Sequence, residues 1–330
     1  MARLPLTFAC GNYDRVQPLR DGRVTVEGCD LTDFTLEPEE LFHRVAFHGE
    51  FDVAEMSFSS YMMAVARGEW HYVALPVYIS RMFRHTCIYV NAKAGIKQPE
   101  DLKGRRVGVP EYQMTAALAA RGMLQDEYGV KPADISWVRG GLKDPGRPEF
   151  IPFDPPKDVA IEVTTRKGLA AMLADGELDA LITARVEPHY ERGDPRVGRL
   201  FADPRAAERA YYEKTRIHPI MHVAVVKRAL IEKHPWLPAS LYKAFDQAKN
   251  MVLDHIDGFG GVVVATTPWL NHDIEEARRV FGRDFWPYGV EPARITLEAM
   301  TRWSHEQGLS PRKVKIEELF APTTLVQHKV

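Results

Sequence analysis

The chain has 330 residues, 45% of them hydrophobic and 27% charged, and its formal net charge is −2 at pH 7. This length can bury a large core and predicts two domains rather than one. Charges of both signs are interspersed, which favours a small molecule or another protein as partner and argues against nucleic acid or a membrane surface.

The cysteines and histidines indicate no metal site. Cys10, Cys29 and Cys87 follow no metal-binding spacing, so we expect buried thiols in a reducing compartment. The 12 histidines form no HExxH or HxH pattern. The first residues contain too short an apolar run for a secretion signal, and no segment approaches the roughly 18 apolar residues of a transmembrane helix. We therefore expect a cytoplasmic protein.

In chain order, the N-terminal part alternates apolar runs typical of buried strands with segments of helical periodicity. The predicted strands are 4–9, 30–36, 51–56 and 73–77, and the predicted helices are 38–47 and 61–66. Polar side chains near these strand ends are candidates for ligand contact, because ligands bind at the carboxyl ends of strands in open α/β sheets. They are Tyr13, Glu55, Ser57 and Ser59, although either serine could simply cap the next helix.

The segment 101–129 predicts a complete strand–loop–helix unit. Residues 106–109 are an apolar run suited to a buried strand, residues 114–128 have helical spacing, and Gly129 predicts the helix end. Free N–H groups at such a helix start attract anions, whereas an ordinary connection without a ligand explains the pattern equally well.

Three polar residues of this unit are candidate ligand contacts: Tyr112, Gln113 and Thr115. The following segment 140–158 is rich in Pro and Gly, and predicts a lid, an oligomer contact or a plain surface loop. A helix, a glycine stop and a strand follow within 166–183, and 217–226 is an apolar run that returns to the first lobe. The remaining predicted helices, expected to pack back on the first lobe, are 228–233, 238–254, 273–281 and 292–307.

The order of elements in 101–129 and 166–183 resembles the second lobe of type 2 periplasmic-binding-protein folds. The resemblance implies an α/β, two-lobe type 2 periplasmic-binding-protein-like fold with a ligand cleft between the lobes. We expect lobe one to comprise 1–92 and 218–330, and lobe two to comprise 93–217.

Six motifs resemble the 4,5-dihydroxyphthalate decarboxylase family. They are GNYDRVQPL at 11–19, FDVAEMSFSSYM at 51–62, YISRMFRHTCIYVN at 78–91, DLKGRRVGVPEYQMTA at 101–116, DALITARVEP at 179–188 and IHPIMHVAVVK at 217–227. The similarity runs in this order from Phe8 to about Lys249.

This resemblance implies a cofactor-independent aromatic decarboxylase, a carboxy-lyase of phthalate degradation. It would convert 4,5-dihydroxyphthalate, or a close hydroxylated aromatic acid, to protocatechuate and carbon dioxide by ipso protonation, with no metal or organic cofactor. One alternative is a non-catalytic solute-binding protein for a small aromatic or carboxylate ligand. Another is a biosynthetic lyase acting on a different aromatic or vitamin precursor. A homo-oligomer is compatible with the apolar C-terminal helices and with segment 140–158.

Such a reaction needs cations to hold the carboxylates, and arginine binds a carboxylate through two parallel hydrogen bonds. Arg84 is the first candidate, with an interlobe salt bridge as the alternative. Arg81 and Arg185 are further candidates. Arg81 could instead face solvent, and Arg185 could instead pair with Glu187 on the surface.

The reaction also needs a proton donor to carbon, and histidine titrates near neutral pH. The predicted catalytic residues are His85, His218 and Glu55. Each histidine could instead serve the crossing between the lobes. Glu55 could be a base with a raised pKa or could pair with an arginine of lobe one. His222 lies in an apolar strand, which favours a core residue over a catalytic one.

Overall fold

The computed structural model describes residues 3–68, 70–146, 148–258 and 266–325, and their strands form two sheets. The strands are β1 Leu4–Cys10, β2 Cys29–Thr35, β3 Val53–Ser57, β4 Tyr72–Ala74, β5 Ser80–Arg81, β6 Ile88–Asn91, β7 Arg106–Val109, β8 Ser136–Arg139, β9 Ile161–Val163, β10 Ala180–Ile182, β11 Val197–Arg199 and β12 Ile220–Lys227.

Helices cover both sheets. They are α1 Gln17–Arg20, α2 Pro38–His43, α3 Phe58–Arg67, α4 Thr115–Tyr128, α5 Leu169–Ala174, α6 Pro188–Glu191, α7 Pro204–Thr215, α8 Arg228–Lys233, α9 Leu237–Gly258, α10 Leu270–Phe281, α11 Val290–Glu306 and α12 Ile316–Leu319. A π-helical turn, Arg44–His48, continues α2. No helix among the described residues has the length and apolar character needed to cross a membrane.

The first sheet has the order β2-β1-β3-β12-β4, with β5 paired to β12. Its first strands run parallel, whereas β12 is antiparallel to β3, β4 and β5. The second sheet has the order β11-β6-β10-β7-β8-β9, in which β10, β7, β8 and β9 run parallel. The chain crosses between the sheets before β6 and returns before β12, which confirms the predicted α/β fold of two lobes.

The two sheets divide the chain slightly earlier than the predicted boundary at residue 92. Strand β6, Ile88–Asn91, pairs with β10 and β11 of the second sheet, although the sequence interpretation assigned it to lobe one. The other predicted domain limits stay predictions.

Local signals in the sequence located most elements to within a few residues. The predicted helix after residue 113 forms as α4 and ends at Gly129, whose φ of 62° lies in the left-handed region that favours glycine. Helix α7 was not predicted, and its composition explains why: Tyr211 is its one buried residue, so it lacks an apolar stripe.

Segment 140–158 contacts both lobes. Its Phe150 ring packs edge-on against Phe47, with ring centroids 5.2 Å apart, and Arg67 of α3 donates a hydrogen bond of 2.6 Å to the carbonyl of Pro152. Phe153 stacks on Tyr112 at 5.4 Å. The segment is therefore more than a surface loop, because it joins the two lobes beside the cleft.

Candidate active site

A cavity of about 340 Å³ lies between the two lobes. The predicted site residues that line it are Ser57, Arg84, Gln113, Thr115 and Arg185, and unpredicted lining residues include Phe42, Ser60, Glu111, Phe150, Met221 and His222. A wider depression of about 460 Å³ opens at the other edge of the second sheet, beside Asp175. There Lys167 and Arg196 already pair with Asp175, so the interlobe cavity is the better candidate.

His222 and Glu55 form a buried pair at the wall of this cavity. His222 Nδ1 lies 2.5 Å from Glu55 Oε1, and the two side chains are 19% and 0% exposed. The His222 ring also packs edge-on against Phe42, with centroids 4.9 Å apart. Because Nδ1 is engaged by the carboxylate, Nε2 is the ring nitrogen that remains for a ligand.

The pairing of two distant strands brings these residues together. In the antiparallel register of β12 against β3, His222 lies opposite Ser57 and Ala224 lies opposite Glu55. Residues two apart on a strand share a face, so His222, Ser57 and Glu55 are neighbours on one side of the sheet. A register irregularity between Ile220 and His222 also allows consecutive residues of β12, including Met221, to line the cavity.

Glu55 accepts hydrogen bonds from several donors, and these donors favour its ionised form. Tyr13 Oη donates to Oε1 at 2.7 Å, and the Gly11 N–H and Cys10 Sγ donate to Oε2 at 2.8 and 3.4 Å. Burial raises the pKa of Glu55, but His222, Gly11 and Tyr13 together bring the pKa below its usual value. The expectation of a base with a raised pKa is therefore wrong, and its partner is a histidine rather than an arginine.

Tyr13 does not line the cavity, and it contacts the buried carboxylate of Glu55 instead. Burial and the adjacent Glu55 carboxylate raise the pKa of Tyr13, so its phenol stays protonated and donates. The guanidinium of Arg15 lies 4.4 Å from the centre of the Tyr13 ring. Tyr13 is thus held as a hydrogen-bond donor to the carboxylate of Glu55.

Arg84 is a buried cation at the cavity wall, and no ion pair with a carboxylate forms among the described residues. Its Nε donates to the Met221 thioether at 3.0 Å, and its Nη1 has no hydrogen-bond partner in the described part of the chain. Burial lowers the pKa of Arg84, while Cys87 and Glu208 oppose that shift. A buried guanidinium with unused donors is unfavourable without an anion, so this wall is suited to a carboxylate ligand.

Hydroxyl and amide groups join the starts of α3 and α4 across the cleft. Ser57 Oγ and Thr115 Oγ1 are 2.9 Å apart, and Ser60 Oγ donates to Gln113 Oε1 at 2.9 Å. Gln113 Nε2 donates in turn to Glu111 Oε2 at 2.7 Å. Ser57 also caps α3 by accepting from the Ser60 N–H. The candidate contacts in these two loops therefore serve both the interlobe contact and the cavity wall.

Arg185 lines the cavity, but its ion pair differs from the expected one with Glu187. Its Nη2 lies 3.2 Å from Glu39 Oε1 of the other lobe, and the two side chains are 60% and 50% exposed. Glu187 instead accepts from His189 Nδ1 at 2.9 Å and caps α6.

Three predicted site residues at the crossing between the lobes do not line the cavity: His85, His218 and Arg81. His85 is 1% exposed and packs against Phe201 and Tyr211, and both ring nitrogens lack partners among the described residues. Burial lowers the pKa of His85 to about 4. His218 stacks on Phe83, and burial together with Arg81 lowers the pKa of His218 well below its usual value.

The guanidinium of Arg81 holds backbone rather than a ligand. It donates to the carbonyls of His218 and Pro287, each at 3.1 Å, and burial lowers its pKa to about 10.

Ser59 and Tyr112 are core residues beside the site. The Ser59 side chain is fully buried, and its backbone N–H donates to Thr115 Oγ1 at 3.1 Å. The Tyr112 ring lies under the guanidinium of Arg121, 3.6 Å from its centre.

The three cysteines are free and buried, as predicted. The described residues include no cluster of three or more His, Cys, Asp or Glu side chains suited to a metal ion.

The sequence analysis favoured a core residue at His222, although a signal for its pairing with Glu55 was present. Glu55 and His222 each interrupt an otherwise apolar strand, and an ionisable residue in such a strand needs a partner. Two such interruptions in one sheet indicate that each could satisfy the other.

A family model and several solved structures match this chain and agree with the two-lobe fold. Residues 39–150 match the family model of the ABC transporter, phosphonate, periplasmic substrate-binding protein. A crystal structure of a putative sulfonate ABC transporter, periplasmic sulfonate-binding protein from Methylobacillus flagellatus superposes with a TM-score of 0.57, at 12% identity, over 98% of this chain and 93% of that one. The crystal structure of desulfurization enzyme DSZB superposes at 0.54, with 16% identity, over 98% of both chains. These structural likenesses bear on the fold alone.

Two relatives are much closer in sequence. This chain is 42% identical to the 4,5-dihydroxyphthalate decarboxylase of Comamonas testosteroni over 331 aligned positions, which cover the whole of both chains. It is 44% identical to the 4,5-dihydroxyphthalate decarboxylase of Pseudomonas putida over 213 positions, covering 64% of this chain and 83% of that one.

Proposed function

The chain belongs to the 4,5-dihydroxyphthalate decarboxylase family, and we propose that it is a carboxy-lyase converting 4,5-dihydroxyphthalate to protocatechuate and carbon dioxide. A close hydroxylated aromatic acid is the wider substrate class. The observation that carries the proposal is one cavity lined by both an arginine without a carboxylate partner, Arg84, and a histidine held by a carboxylate, His222.

Arg84 is the proposed clamp for the carboxylate that the product retains. Arg84 lines the cavity, and its buried guanidinium forms no ion pair with a carboxylate of the described residues, which supports a role in binding an anion. A charge-assisted hydrogen bond in a desolvated cavity is stronger than the same bond in water. The retained carboxylate would orient the ring so that its neighbour, the departing carboxylate, lies beside His222.

His222 is the proposed proton donor, in place of the predicted His85 and His218. Those two pack among aromatic rings away from the cavity. Glu55, bound to Nδ1, would stabilise the imidazolium and direct Nε2 towards the substrate, as a carboxylate does in other histidine-dependent sites.

In the proposed step, Nε2 of the imidazolium gives its proton to the ring carbon that bears the departing carboxylate. The carbon–carbon bond breaks, its electron pair restores the aromatic ring, and carbon dioxide leaves. A hydroxyl para to that carboxylate supplies electron density to the ring. The neutral imidazole then regains a proton from solvent after the product leaves. Phe42 and Phe150 on the cavity wall would pack against the ring and exclude water.

The test is to treat the purified protein with a chelator, mix it with 4,5-dihydroxyphthalate, and follow carbon dioxide and protocatechuate. Turnover without added metal is the expected result. A thermal shift without turnover would instead support the non-catalytic binding protein. No turnover and no thermal shift would refute this substrate.

A cytoplasmic location and a homo-oligomeric state are further parts of the proposal. Buried free thiols at all three cysteines support a reducing compartment. Cell fractionation tests the location, and light scattering of the purified protein tests the oligomeric state.

A further inference from the structure

The loop between β7 and α4 already holds a carboxylate, and that carboxylate comes from the chain itself. The sequence left two interpretations of this helix start open: an anion held by unpaired backbone N–H groups, or an ordinary connection without a ligand. Glu149, from segment 140–158, accepts from the Tyr112 N–H at 2.7 Å through Oε1 and from the Gln113 N–H at 3.2 Å through Oε2.

The surroundings of Glu149 form a built anion site. Arg139, at the end of β8, places Nε 3.6 Å from Glu149 Oε1, and the two side chains are only 15% and 12% exposed. Burial raises the pKa of Glu149, Glu111 adds to that shift, and the two N–H groups and Arg139 oppose it. Two backbone donors and one cation are thus directed at a single side-chain carboxylate.

We propose that Glu149 is a positioning residue, whose carboxylate fills an anion site in the β7–α4 loop and thereby fixes two walls of the interlobe cavity. One wall is Gln113, whose N–H is held by Glu149 and whose side chain accepts from Ser60 and donates to Glu111. The other is Phe150, the next residue in the chain, which lines the cavity and packs against Phe47 of the other lobe.

Removing the Glu149 carboxylate should weaken the contacts that hold both walls of the cavity. In Glu149→Ala the two loop N–H groups lose their acceptor, Arg139 loses this one carboxylate, and the residue before Phe150 is no longer fixed to the loop. An added small carboxylate, acetate, fits the vacated site because it supplies the same two oxygens to the same donors. The effect on turnover rests on the proposed function, whereas binding of acetate does not.

The experiment compares the wild-type protein with Glu149→Ala, Glu149→Gln and Glu162→Ala in acetate and in chloride of equal ionic strength. Glu162 is the matched control: it pairs with Arg106 Nη2 at 2.9 Å, is 47% exposed, and lies on the adjacent strand β9. Thermal unfolding is measured first, because it needs no substrate. Kinetics with 4,5-dihydroxyphthalate follow.

We expect acetate, but not chloride, to raise the melting temperature of Glu149→Ala, with no such difference for the wild type or Glu162→Ala. The KM of Glu149→Ala should rise about tenfold, which corresponds to the loss of one charge-assisted contact, and kcat should change less. Acetate should return this KM towards the wild-type value. Glu149→Gln keeps the volume and one acceptor but turns its NH₂ group towards one of the two N–H groups, so its defect should lie between those of the wild type and Glu149→Ala and should be insensitive to acetate.

Equal acetate effects on all four proteins, or a wild-type melting temperature and KM for Glu149→Ala, would overturn the proposal. If Glu149→Ala does not fold even in acetate while Glu149→Gln matches the wild type in both measurements, the positioning role is also rejected. If the wild type has no turnover, the proposed function fails, and thermal unfolding alone still decides whether this anion site exists.

Discussion

Replacing Glu55 with glutamine tests the centre of the proposed mechanism. The change keeps the volume of the side chain but replaces one acceptor oxygen with an amide donor. Glu55 Oε1 faces Tyr13 Oη and His222 Nδ1, and Oε2 faces the Gly11 N–H and Cys10 Sγ. An NH₂ group on the Oε2 side meets the Gly11 N–H, which is itself a donor. An NH₂ group on the Oε1 side is satisfied only if His222 accepts at Nδ1 as a neutral imidazole, and that removes the imidazolium.

The expected loss can be estimated from these contacts. A buried donor without a partner costs about 1–3 kcal/mol, so Glu55→Gln should lower the free energy of unfolding by about that amount. Loss of the carboxylate also removes the group that orients His222 and stabilises its imidazolium. General acid–base groups contribute about 10²–10⁴ in rate, so kcat should fall by a factor in that range.

The pH dependence of stability gives an independent check. The pKa of Glu55 is lowered from 4.5 in the folded protein, so its contribution is present above pH 4.5 and is lost as pH falls through the folded pKa. The glutamine variant does not titrate at this position. The difference in unfolding free energy between wild type and Glu55→Gln should therefore shrink as the pH falls below 4.5.

Urea denaturation at several pH values measures the stability, and release of carbon dioxide and protocatechuate measures kcat. Glu162→Gln is the control, because it makes the same chemical change in an exposed ion pair with Arg106 that contributes about 0–1 kcal/mol. If Glu55→Gln keeps the kcat and stability of this control, the assignment of Glu55 and His222 is wrong.

Three further changes separate the roles of the other predicted residues. Arg84→Met should raise KM by about 10–100-fold, because a charge-assisted contact is lost, yet urea denaturation without ligand should show equal or greater stability, since an unpaired buried cation is removed. His85→Phe should keep kcat within about threefold, a difference of less than 1 kcal/mol. Between pH 6.5 and about 4 the unfolded chain protonates His85 but the folded protein does not, so the wild type should lose roughly 3 kcal/mol of stability over this range. His85→Phe should not show this loss. Arg185→Ala should lower stability by less than about 1 kcal/mol, because its pair with Glu39 is exposed, and raise KM mainly at low salt. A large kcat loss in His85→Phe, or an unchanged KM in Arg84→Met, would contradict these roles.

Local patterns in the sequence determined most of the elements, and the resemblance that their order carries indicated the fold. The apolar run 106–109, the helical spacing after Gln113 and the stop at Gly129 are short-range signals, because strand burial, helix periodicity and glycine conformation depend on neighbouring residues. Six motifs in order then indicated the two-lobe fold and the family, which the sheet order and the relatives confirm. Arg84 at the cavity also agrees with its position just before the crossing strand.

The proposed catalytic pair was decided by tertiary structure. His85 follows Arg84 directly in sequence, yet its ring packs against Phe201 and Tyr211 while Arg84 lines the cavity. Glu55 and His222 are 167 residues apart, and they meet because β12 runs antiparallel to β3 in one particular register. A shift of one residue in that register would turn His222 to the other face of the sheet. Strand register depends on packing across the whole sheet. The two ionisable residues in apolar strands therefore indicated that each needs a partner, but they did not specify this contact.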